Sequence, residues 1–544
     1  MKDNNTLFSK LNRRMCLRWY DWQNDQRATH LAHQVARLAK PQSNMRPVVF
    51  FNASTRLSGI SLNAAFSSIS AWGLRLAGVP VVHFACQSGM GRCVLGSDMD
   101  DHLAEPPCQA CIAQSKVLYS AASTRWFTKT EYDELELALS GLGLEELRRF
   151  NYHGEPLGDL VLPSLRWRLR RHHLLDDKTT RYLYREFICS AHNVSLKFEA
   201  LLDDIDPAAV VVFNGQMFPE AIARRVAQAR GIPVVTHEVS FQPLSAFFTH
   251  GQATAYPIDI PPDFELDEAQ NARLDAYLEQ RFQGKFTMAG IQFWPEMRGL
   301  DSALLQKINQ FKQMVPVFTN VVFDTSQPHA NTVFRHMFAW LNQLLDLIKE
   351  TPDTLFVIRA HPDEHRPGSR KQSRQSVNDW IRENQVDQLS NVVFIDSQDY
   401  VSSYDLVQRA KFICVYNSSI ALEAAMMGAV VLCGGSSRFT GYNTMHFPGT
   451  APAYRIMVEK FLSAEQIDNP PEFQHNARRF YYYQTFRTPI SFIDYLQPHP
   501  TRGYVRLKKF PARALLPQNS LAIRTIYDGI MHGKPFLIPD EVES

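Results

Sequence analysis

The chain has 544 residues, a formal net charge of +2, and ordinary globular proportions of hydrophobic (45%) and charged (21%) residues. This length predicts two or three domains, and the composition argues against extensive disorder. The small net charge gives no indication of a nucleic-acid partner. No apolar run approaches the length of a membrane span, and the first residues lack the apolar core of a signal peptide, so we expect a cytoplasmic protein.

Residues 1–45 form a basic, partly helical extension that ends before the first strand. The extension combines Arg13, Arg14 and Arg18 with Trp19 and Trp22. A helix with this composition can lie on an anionic membrane, which predicts peripheral contact at the inner face. The alternative, which we favour, is a helix that packs on the first domain.

Residues 46–255 are predicted to form a first Rossmann-like domain. "PVVFFNAST" indicates a strand, "SLNAAFSSISAWGLRLAG" a helix, and "VPVVHFAC" a second strand. The same strand–helix–strand order is predicted for "AAVVVFNG", "MFPEAIARRVAQARG" and "IPVVTHE". Continuous β-branched runs that alternate with helices indicate buried parallel strands in βαβ units. Residues 115–200 look largely helical and predict a helical insertion.

Four clustered cysteines lie in a loop over residues 86–111 of this domain. They are Cys86, Cys93, Cys108 and Cys111, spaced C-x₆-C-x₁₄-C-x₂-C among Gly and Pro turns. Four thiolates suit a structural Zn²⁺ ion, and an iron–sulfur cluster also uses four cysteines. The first pair is wider than the usual C-x₂₋₄-C spacing, so free thiols and a disulfide stay open as alternatives.

A Pro-rich and acidic stretch opens the next segment, which we interpret as a linker with helices over residues 256–313. A second Rossmann-like domain follows over 314–470, with five strands joined by helices, and residues 471–544 are predicted to be a helical tail. Ligands of open α/β sheets bind beyond the carboxyl ends of the strands. The fold class is therefore α/β, with two doubly wound domains that face each other across a cleft.

The stretch "ICVYNSSIALEAAMMGAVVLCGG" places polar residues where a strand meets a helix. Asn417, Ser418 and Ser419 follow the strand, and Glu423 lies one turn into the helix. A serine hydroxyl can cap the helix, whose N–H groups then form an anion site. Ser419 and Glu423 share one helix face about 6 Å apart, which suits a phosphate and a ribose. The alternative is a capped helix with an acid that the helix dipole favours.

Two further strand ends carry candidate phosphate contacts. His361 and Pro362 end the strand in "VIRAHP", where a histidine can donate to a phosphate and stabilise a leaving group. Gly434, Gly435 and Arg438 follow the next strand in "GGSSRFT" and are weaker candidates for the same anion.

Together, the His-Pro and Asn-Ser-Ser-x₃-Glu motifs resemble the nucleotide-binding domain of GT-B glycosyltransferases, in particular the capsular polysaccharide group with its Kdo and sialic-acid transferases. The resemblance covers residues 315–450 well and the first domain in outline. It implies that His361, Ser418 and Ser419 hold the phosphate of a CMP-, UDP- or GDP-sugar and that Glu423 holds the ribose. The implied acceptor is a glycan or a lipid-linked glycan of bacterial capsule or surface polysaccharide biosynthesis.

The acceptor and a catalytic base are expected on the first domain. Strand-end candidates are Asn52 to Arg56, Asn214–Gly215, His237 and Glu238. Because neighbours in an extended segment point to opposite faces, only one of His237 and Glu238 can face the cleft. We choose Glu238 as the base, since a carboxylate can accept the proton of the acceptor hydroxyl. A strand-end acid that caps the next helix is the alternative.

Other functions stay open at this point. A UDP-sugar 2-epimerase shares the two-domain architecture but needs several acids around the sugar, which the sequence does not locate. A non-catalytic scaffold of the polysaccharide machinery would use the cysteine cluster and the basic extension for assembly. The transferase chemistry itself requires no metal ion or other cofactor, because helix N–H groups and His361 can carry the phosphate charge.

Overall fold

The computed structural model describes residues 7–53, 59–283, 287–288, 291–292, 297–365 and 372–540. The elements of the N-terminal half are, in chain order, α1 (Leu7–Leu38), β1 (Val48–Asn52), β2 (Ile60–Ser61), α2 (Leu62–Leu76), β3 (Val81–Cys86), α3 (Cys108–Leu118), β4 (Ser123–Phe127), α4 (Asp133–Leu139), α5 (Leu144–Arg148), α6 (Leu157–Leu169), α7 (Lys178–Ile205), β5 (Ala209–Phe213), α8 (Glu220–Ala229), β6 (Val234–Val239) and β7 (Ser245–Thr249).

The linker and the second domain contain α9 (Glu268–Phe282), β8 (Thr287–Met288), β9 (Ile291–Gln292), α10 (Ser302–Ile308), β10 (Gln313–Phe318), α11 (Gln327–Ala330), α12 (Met337–Glu350), β11 (Thr354–Arg359), α13 (Val377–Glu383), β12 (Val392–Ile395), α14 (Ser403–Arg409), β13 (Ile413–Val415), α15 (Ile420–Met426), β14 (Val431–Cys433) and α16 (Ala451–Ser463). The tail contains α17 (Pro471–Tyr482), a π-helical turn (Tyr483–Arg487), β15 (Ile490–Ser491), β16 (Leu496–Pro498), β17 (Tyr504–Leu507) and α18 (Leu521–His532).

Each domain is built on a sheet with five parallel strands, which have the same connectivity in both domains, and β7 and β15 extend the first sheet as antiparallel strands. The first sheet has the order β15-β7-β6-β5-β1-β3-β4, and the second has the order β12-β11-β10-β13-β14. In each sheet the chain first winds to one side and then returns to the other, which creates a switch point between β1 and β5 and another between β10 and β13. The prediction of two doubly wound domains is confirmed.

Burial on both faces explains why the strands read as continuous apolar runs. In β1, Val48 and Phe50 belong to the core cluster that α2 and α18 cover. Val49 and Phe51 point to the opposite face and join the cluster covered by α6, α7 and α8. Such two-sided burial is what a central parallel strand requires.

The tail does more than extend the second domain. After α17 the chain returns to the first domain, where β15 pairs antiparallel with β7 and β17 pairs antiparallel with β2. Helix α18 packs on α2 so closely that a Cβ on Gly73 would lie 2.5 Å from Cγ2 of Ile523. Residues 471–540 thus add three strands to the expected helices and complete the first domain.

The N-terminal helix α1 has two different halves. Its second half is buried on the first domain through Ala28, Leu31 and Val35. Earlier in the helix, Trp19 and Trp22 are 52% and 58% exposed. None of the described helices is both long enough and apolar enough to cross a membrane.

Candidate functional site

A cavity of about 640 Å³ lies between the two domains. The sequence-predicted residues that line it are Glu238, His361, Pro362, Asn417, Ser418, Ser419, Glu423 and Arg438. They come from strand ends of both sheets, as expected where the carboxyl edges of two parallel sheets face each other. The structure therefore brings His361 and Ser419 to one site.

Asn417 bridges the two loops that flank the switch point of the second sheet. Its Oδ1 accepts a hydrogen bond from Nδ2 of Asn320 at 2.6 Å, and Asn320 follows β10. Asn417 is only 6% exposed. Its side chain thus fixes the loop geometry, while Ser418 and Ser419 follow it into the cavity.

The start of α15 differs from the expected cap. Ser419 precedes the helix with near-helical backbone angles (φ −62°, ψ −19°), and its hydroxyl makes no capping hydrogen bond. Its carbonyl accepts from the Glu423 N–H at 3.3 Å instead. A hydroxyl caps a helix from an extended backbone conformation, which Ser419 does not adopt.

Glu423 lies in a buried ion-pair network. Arg281 donates to its Oε1 from Nη2 at 2.7 Å, and the Tyr404 hydroxyl donates to its Oε2. Burial opposes the charge of Arg281, but the Glu423 carboxylate, together with Tyr481 and Tyr404, outweighs it and raises the pKa of Arg281 well above its usual value. The ribose role of Glu423 stays a prediction, and a bound ribose would share the carboxylate with both partners.

His361 follows β11, and its ring orientation is set by its own turn. The Asp363 N–H donates to Nδ1 of His361 at 3.1 Å. A neutral imidazole whose Nδ1 accepts a hydrogen bond carries its proton on Nε2. Nε2 is therefore the donor nitrogen of this ring.

The two glycines after β14 are required by packing. A Cβ on Gly434 would lie 2.4 Å from Nε1 of Trp340. The Gly434 N–H donates to the Val415 carbonyl at 2.8 Å, and the Gly435 N–H donates to the Tyr416 carbonyl at 2.7 Å. Because both amides are used within the fold, the predicted phosphate contact cannot come from these N–H groups.

Arg438 brings a positive charge to the cavity wall. Its Nε donates to Oε1 of Gln484, and its guanidinium lies 4.8 Å from the ring centre of Phe241. Within the described residues it forms no ion pair with a carboxylate. Burial lowers the pKa of Arg438 to about 10, so the side chain stays charged at neutral pH.

Arg170 is a second cation of the cavity that the sequence did not reveal. It is 3% exposed, and its Nε and Nη1 have no hydrogen-bond partner in the part of the chain that the structure describes. Its guanidinium lies 4.2 Å from the ring centre of Trp167 and 5.2 Å from that of Phe323. The residue ends α6 in the helical insertion, within a run of arginines that has the pattern of a solvated surface.

Glu238 is the cavity-facing acid of the first domain. Asn214 donates to its Oε2 from Nδ2 at 3.0 Å, and Asn63 donates to its Oε1 from Nδ2 at 3.2 Å. The neighbouring His237 is 1% exposed, and its ring stacks on Phe248. The alternation expected of an extended segment thus directs Glu238, and not His237, towards the cavity.

The remaining first-domain candidates occupy supporting positions. Asn214 and Gly215 both have positive φ, and the Asn214 side chain orients Glu238. Asn52 ends β1 and accepts from the Ser67 hydroxyl at 3.0 Å. Residues 54–58, which include the predicted Arg56, lie outside the described residues.

The four cysteines of the loop line a second, small cavity of about 30 Å³ in the first domain. They contribute nothing to the wall of the interdomain cavity, so their chemistry is separate from that of the strand-end motifs.

No protein-family model matches the sequence, and no curated protein sequence matches it. Among solved structures, the chain is similar to Thermosulfurimonas dismutans KpsC beta Kdo 2,4 transferase, with 12% identity and a TM-score of 0.34 over 55% of this chain and 84% of that one. The KpsC beta Kdo 2,7 transferase shares 13% identity, with a TM-score of 0.32 over 62% and 90% of the two chains. UDP-GlcNAc 2-epimerase from Neisseria meningitidis shares 12% identity, with a TM-score of 0.24 over 80% and 98%. These likenesses are distant, and the GT-B-like architecture rests on the sheet topology above.

Glu364, three residues after His361, predicts a pH-dependent stability. It is fully buried; one carboxylate oxygen accepts from the Val377 N–H at 2.8 Å, and the other has no hydrogen-bond partner among the described residues. Burial, with Asp396 and Asp379 nearby, raises the pKa of Glu364 to about 8. An unfolded chain releases this proton near pH 4.5, so the folded protein should lose stability as the pH rises from about 5 to 8.

We therefore expect Glu364→Gln to be more stable than the wild type at pH 8, by on the order of 2 kcal/mol, and similar to it at pH 5. Thermal unfolding across this pH range measures the difference. Glu383→Gln, an exposed acid on α13, serves as the matched control and should follow the wild-type profile. If the stability of Glu364→Gln and that of the wild type changed in parallel with pH, the raised pKa of Glu364 would be contradicted.

Proposed function

We propose that the protein is a GT-B glycosyltransferase that moves a sugar from a nucleotide-sugar donor to a glycan or lipid-linked acceptor of bacterial capsule or surface polysaccharide. One observation supports this function above the others. The interdomain cavity has a hydrogen-bonded carboxylate, Glu238, on its first-domain side, and on its second-domain side a cation, Arg438, that pairs with no carboxylate of the described residues. This polarity suits a hydroxyl nucleophile on one side and a phosphate on the other.

The donor phosphate would lie on the second domain. Arg438 offers N–H donors and full charge, and His361 offers its Nε2–H. Ser418 and Ser419 supply hydroxyls at the same wall. As the bond between the anomeric carbon and the phosphate oxygen breaks, the negative charge that develops on the leaving nucleotide is stabilised by these donors.

The acceptor would approach from the first domain. Its hydroxyl oxygen forms the new bond to the anomeric carbon, and its proton passes to the Glu238 carboxylate. Asn63 and Asn214 hold that carboxylate in place throughout. The balance of the reaction is one glycosidic bond formed, one sugar–phosphate bond broken and one proton transferred to Glu238.

A lipid-linked acceptor gives the exposed part of α1 a role. Met15, Trp19 and Trp22 are spaced by four and three residues, so they share one helix face, and all three are more than half exposed. Arg14 and Arg18 are exposed on the same part of the helix. We propose that this part of α1 lies on the anionic inner face of the membrane.

The first test is nucleotide binding. We expect one of CMP, UDP and GDP to raise the melting temperature of the wild type, by an amount that grows with the logarithm of its concentration. Arg438→Gln should weaken this affinity by about 10- to 100-fold, because a hydrogen bond to a charged group contributes about 1.5–3 kcal/mol. Differential scanning fluorimetry over a concentration series measures both effects.

Arg502→Gln, an exposed arginine of the tail, is the matched control and should bind as the wild type does. A protein that no nucleotide stabilises would favour the scaffold function, and unchanged affinity in Arg438→Gln would remove the phosphate role of this residue.

The second test separates binding from chemistry. Glu238→Gln keeps the size of the side chain and one acceptor oxygen, but its amide NH2 replaces the second oxygen that accepts from Asn63 or Asn214, and it cannot take up a proton. We expect it to bind nucleotide normally and to release nucleotide from the sugar donor, with water or glycan as acceptor, about 10²- to 10⁴-fold more slowly. Released nucleotide is quantified by chromatography.

The same samples are examined for an epimerised donor sugar. Asp324 and Asp363 also line the cavity, so acids other than Glu238 are available to act on a bound sugar. Donor epimer formed without any acceptor would replace the transferase proposal by a 2-epimerase.

The membrane contact predicts binding to vesicles that contain anionic lipid and not to neutral vesicles. Trp19→Ser with Trp22→Ser should reduce this binding at least about tenfold, since each buried aromatic side chain contributes about 1.5–3 kcal/mol. High salt should weaken the binding of the wild type. Ile456→Ser removes a side chain that is 65% exposed on α16 and is the control. Binding is measured by co-sedimentation with the vesicles. If the double substitution left it unchanged, α1 would be excluded as the membrane contact.

A further inference from the structure

The four clustered cysteines converge in space although 25 residues separate the first from the last. Cys86 ends β3, Cys93 follows in the loop, and Cys108 and Cys111 lie in the first turn of α3. All four line the cavity of about 30 Å³, and none of them forms a disulfide. Two chain segments thus deliver two thiols each to one place.

Two of the sulfur atoms already accept backbone hydrogen bonds. The Gly89 N–H donates to Sγ of Cys86 at 3.1 Å, and the Gly96 N–H donates to Sγ of Cys93 at 3.2 Å. Each pair has the same C-x₂-G spacing. N–H donors of this kind stabilise a thiolate, because they place partial positive charge next to the sulfur.

None of the described residues that line this cavity carries a positive charge. Four thiolates at this distance repel each other unless a cation lies between them.

We propose that Cys86, Cys93, Cys108 and Cys111 bind one divalent metal ion, Zn²⁺ by its preference for four thiolates, as a structural site. Closed four-cysteine sites are tetrahedral and leave no position for substrate. The small cavity suits a single ion better than a cluster of several iron and sulfide atoms. No three of the sulfurs lie within 4.8 Å of one another, so binding draws the side chains inward around the ion. The proposal is independent of the transferase function.

The competing set of ligands is a histidine cluster at the domain interface. Ligand atoms of His172, His173 and His336 lie within 4.8 Å of one another. Their hydrogen bonds oppose a metal ion: the Ala339 N–H donates to Nδ1 of His336 at 3.1 Å, and Gln375 Nε2 donates to Nδ1 of His173 at 2.7 Å.

The Nε2 atoms of His173 and His336 lie 3.3 Å apart, within hydrogen-bond distance of each other. A neutral ring that accepts at Nδ1 carries its proton on Nε2, so metal ligation at Nε2 would require that hydrogen bond to be given up. Burial, followed by the nearby Arg166 charge, lowers the pKa of His172 to about 2, and the same charge repels a cation. The cysteines are thus the better ligands despite their present spacing.

The metal would order a loop that reaches the second domain. Asp100, between Cys93 and Cys108, forms an ion pair with Arg374. The Arg374 N–H in turn donates to the Arg170 carbonyl at 2.8 Å. A loop held by the metal would therefore support the backbone of a residue that lines the interdomain cavity.

The test is metal content of the purified full chain, measured by plasma mass spectrometry after loading with Zn²⁺ and removal of the excess. We expect one zinc per chain in the wild type and its loss in Cys86→Ser with Cys111→Ser. Cys189→Ser, a half-buried cysteine outside the cluster, and His336→Ala are the matched controls and should keep the ion. Substitution with Co²⁺ should give sulfur-to-cobalt charge-transfer absorption in the wild type.

A measurement on the wild type keeps the proposal falsifiable if the double variant fails to fold. Chelation should release zinc and lower the melting temperature, and added Zn²⁺ should restore it. A wild type that binds no zinc, zinc lost from His336→Ala but kept by the cysteine variant, iron accompanied by sulfide, or a disulfide within the cluster would each overturn the proposal. None of these outcomes depends on nucleotide binding, which is measured separately.

Discussion

The chain passes between the two domains twice, and this path determines which edges of the two sheets face each other. The first crossing is the linker that contains α9, and the second is the π-helical turn Tyr483–Arg487 that leads into β15. A side-chain hydrogen bond at the cavity joins each crossing to the second domain. Arg281 on α9 holds Glu423, and Gln484 in the second crossing accepts from Arg438. Because β15 is paired with β7, the second crossing cannot move away from the first domain without losing the hydrogen bonds between these two strands.

The charges of the cavity follow from this arrangement. Arg281 is compensated by Glu423, and such a buried pair fixes geometry because either partner alone would be an uncompensated charge. Arg170 and Arg438 lie on aromatic faces instead, with no carboxylate partner among the described residues. Burying a cation without an anion is costly, so two such side chains at one cavity favour a ligand that brings negative charge.

The sequence predicted best what depends on local pattern. Parallel strands buried on both faces are continuous apolar runs, and the carboxyl edge of a sheet places His361 and Asn417 together without any knowledge of side-chain packing. Long-range contacts were not predictable: Arg281 and Glu423 are 142 residues apart. Strand β4, "STRWF", lies within the stretch predicted to be helical, because an edge strand with mostly polar, partly exposed residues lacks the apolar run of a buried strand. The returning strands of the tail have two to four residues each, too short for a periodic pattern.

The cysteine loop and the cavity are separate sites, but Arg170 connects them mechanically. Its backbone has φ of 58°, a left-handed conformation that a residue with a side chain adopts only when its surroundings hold it. One of those constraints is the Arg374 N–H, and Arg374 is itself paired with Asp100 of the cysteine loop. A disordered loop would release Arg374 and remove one support from a buried cation of the cavity wall. A metal ion held by the four cysteines would therefore act on the cavity through the loop backbone, without contacting a ligand there.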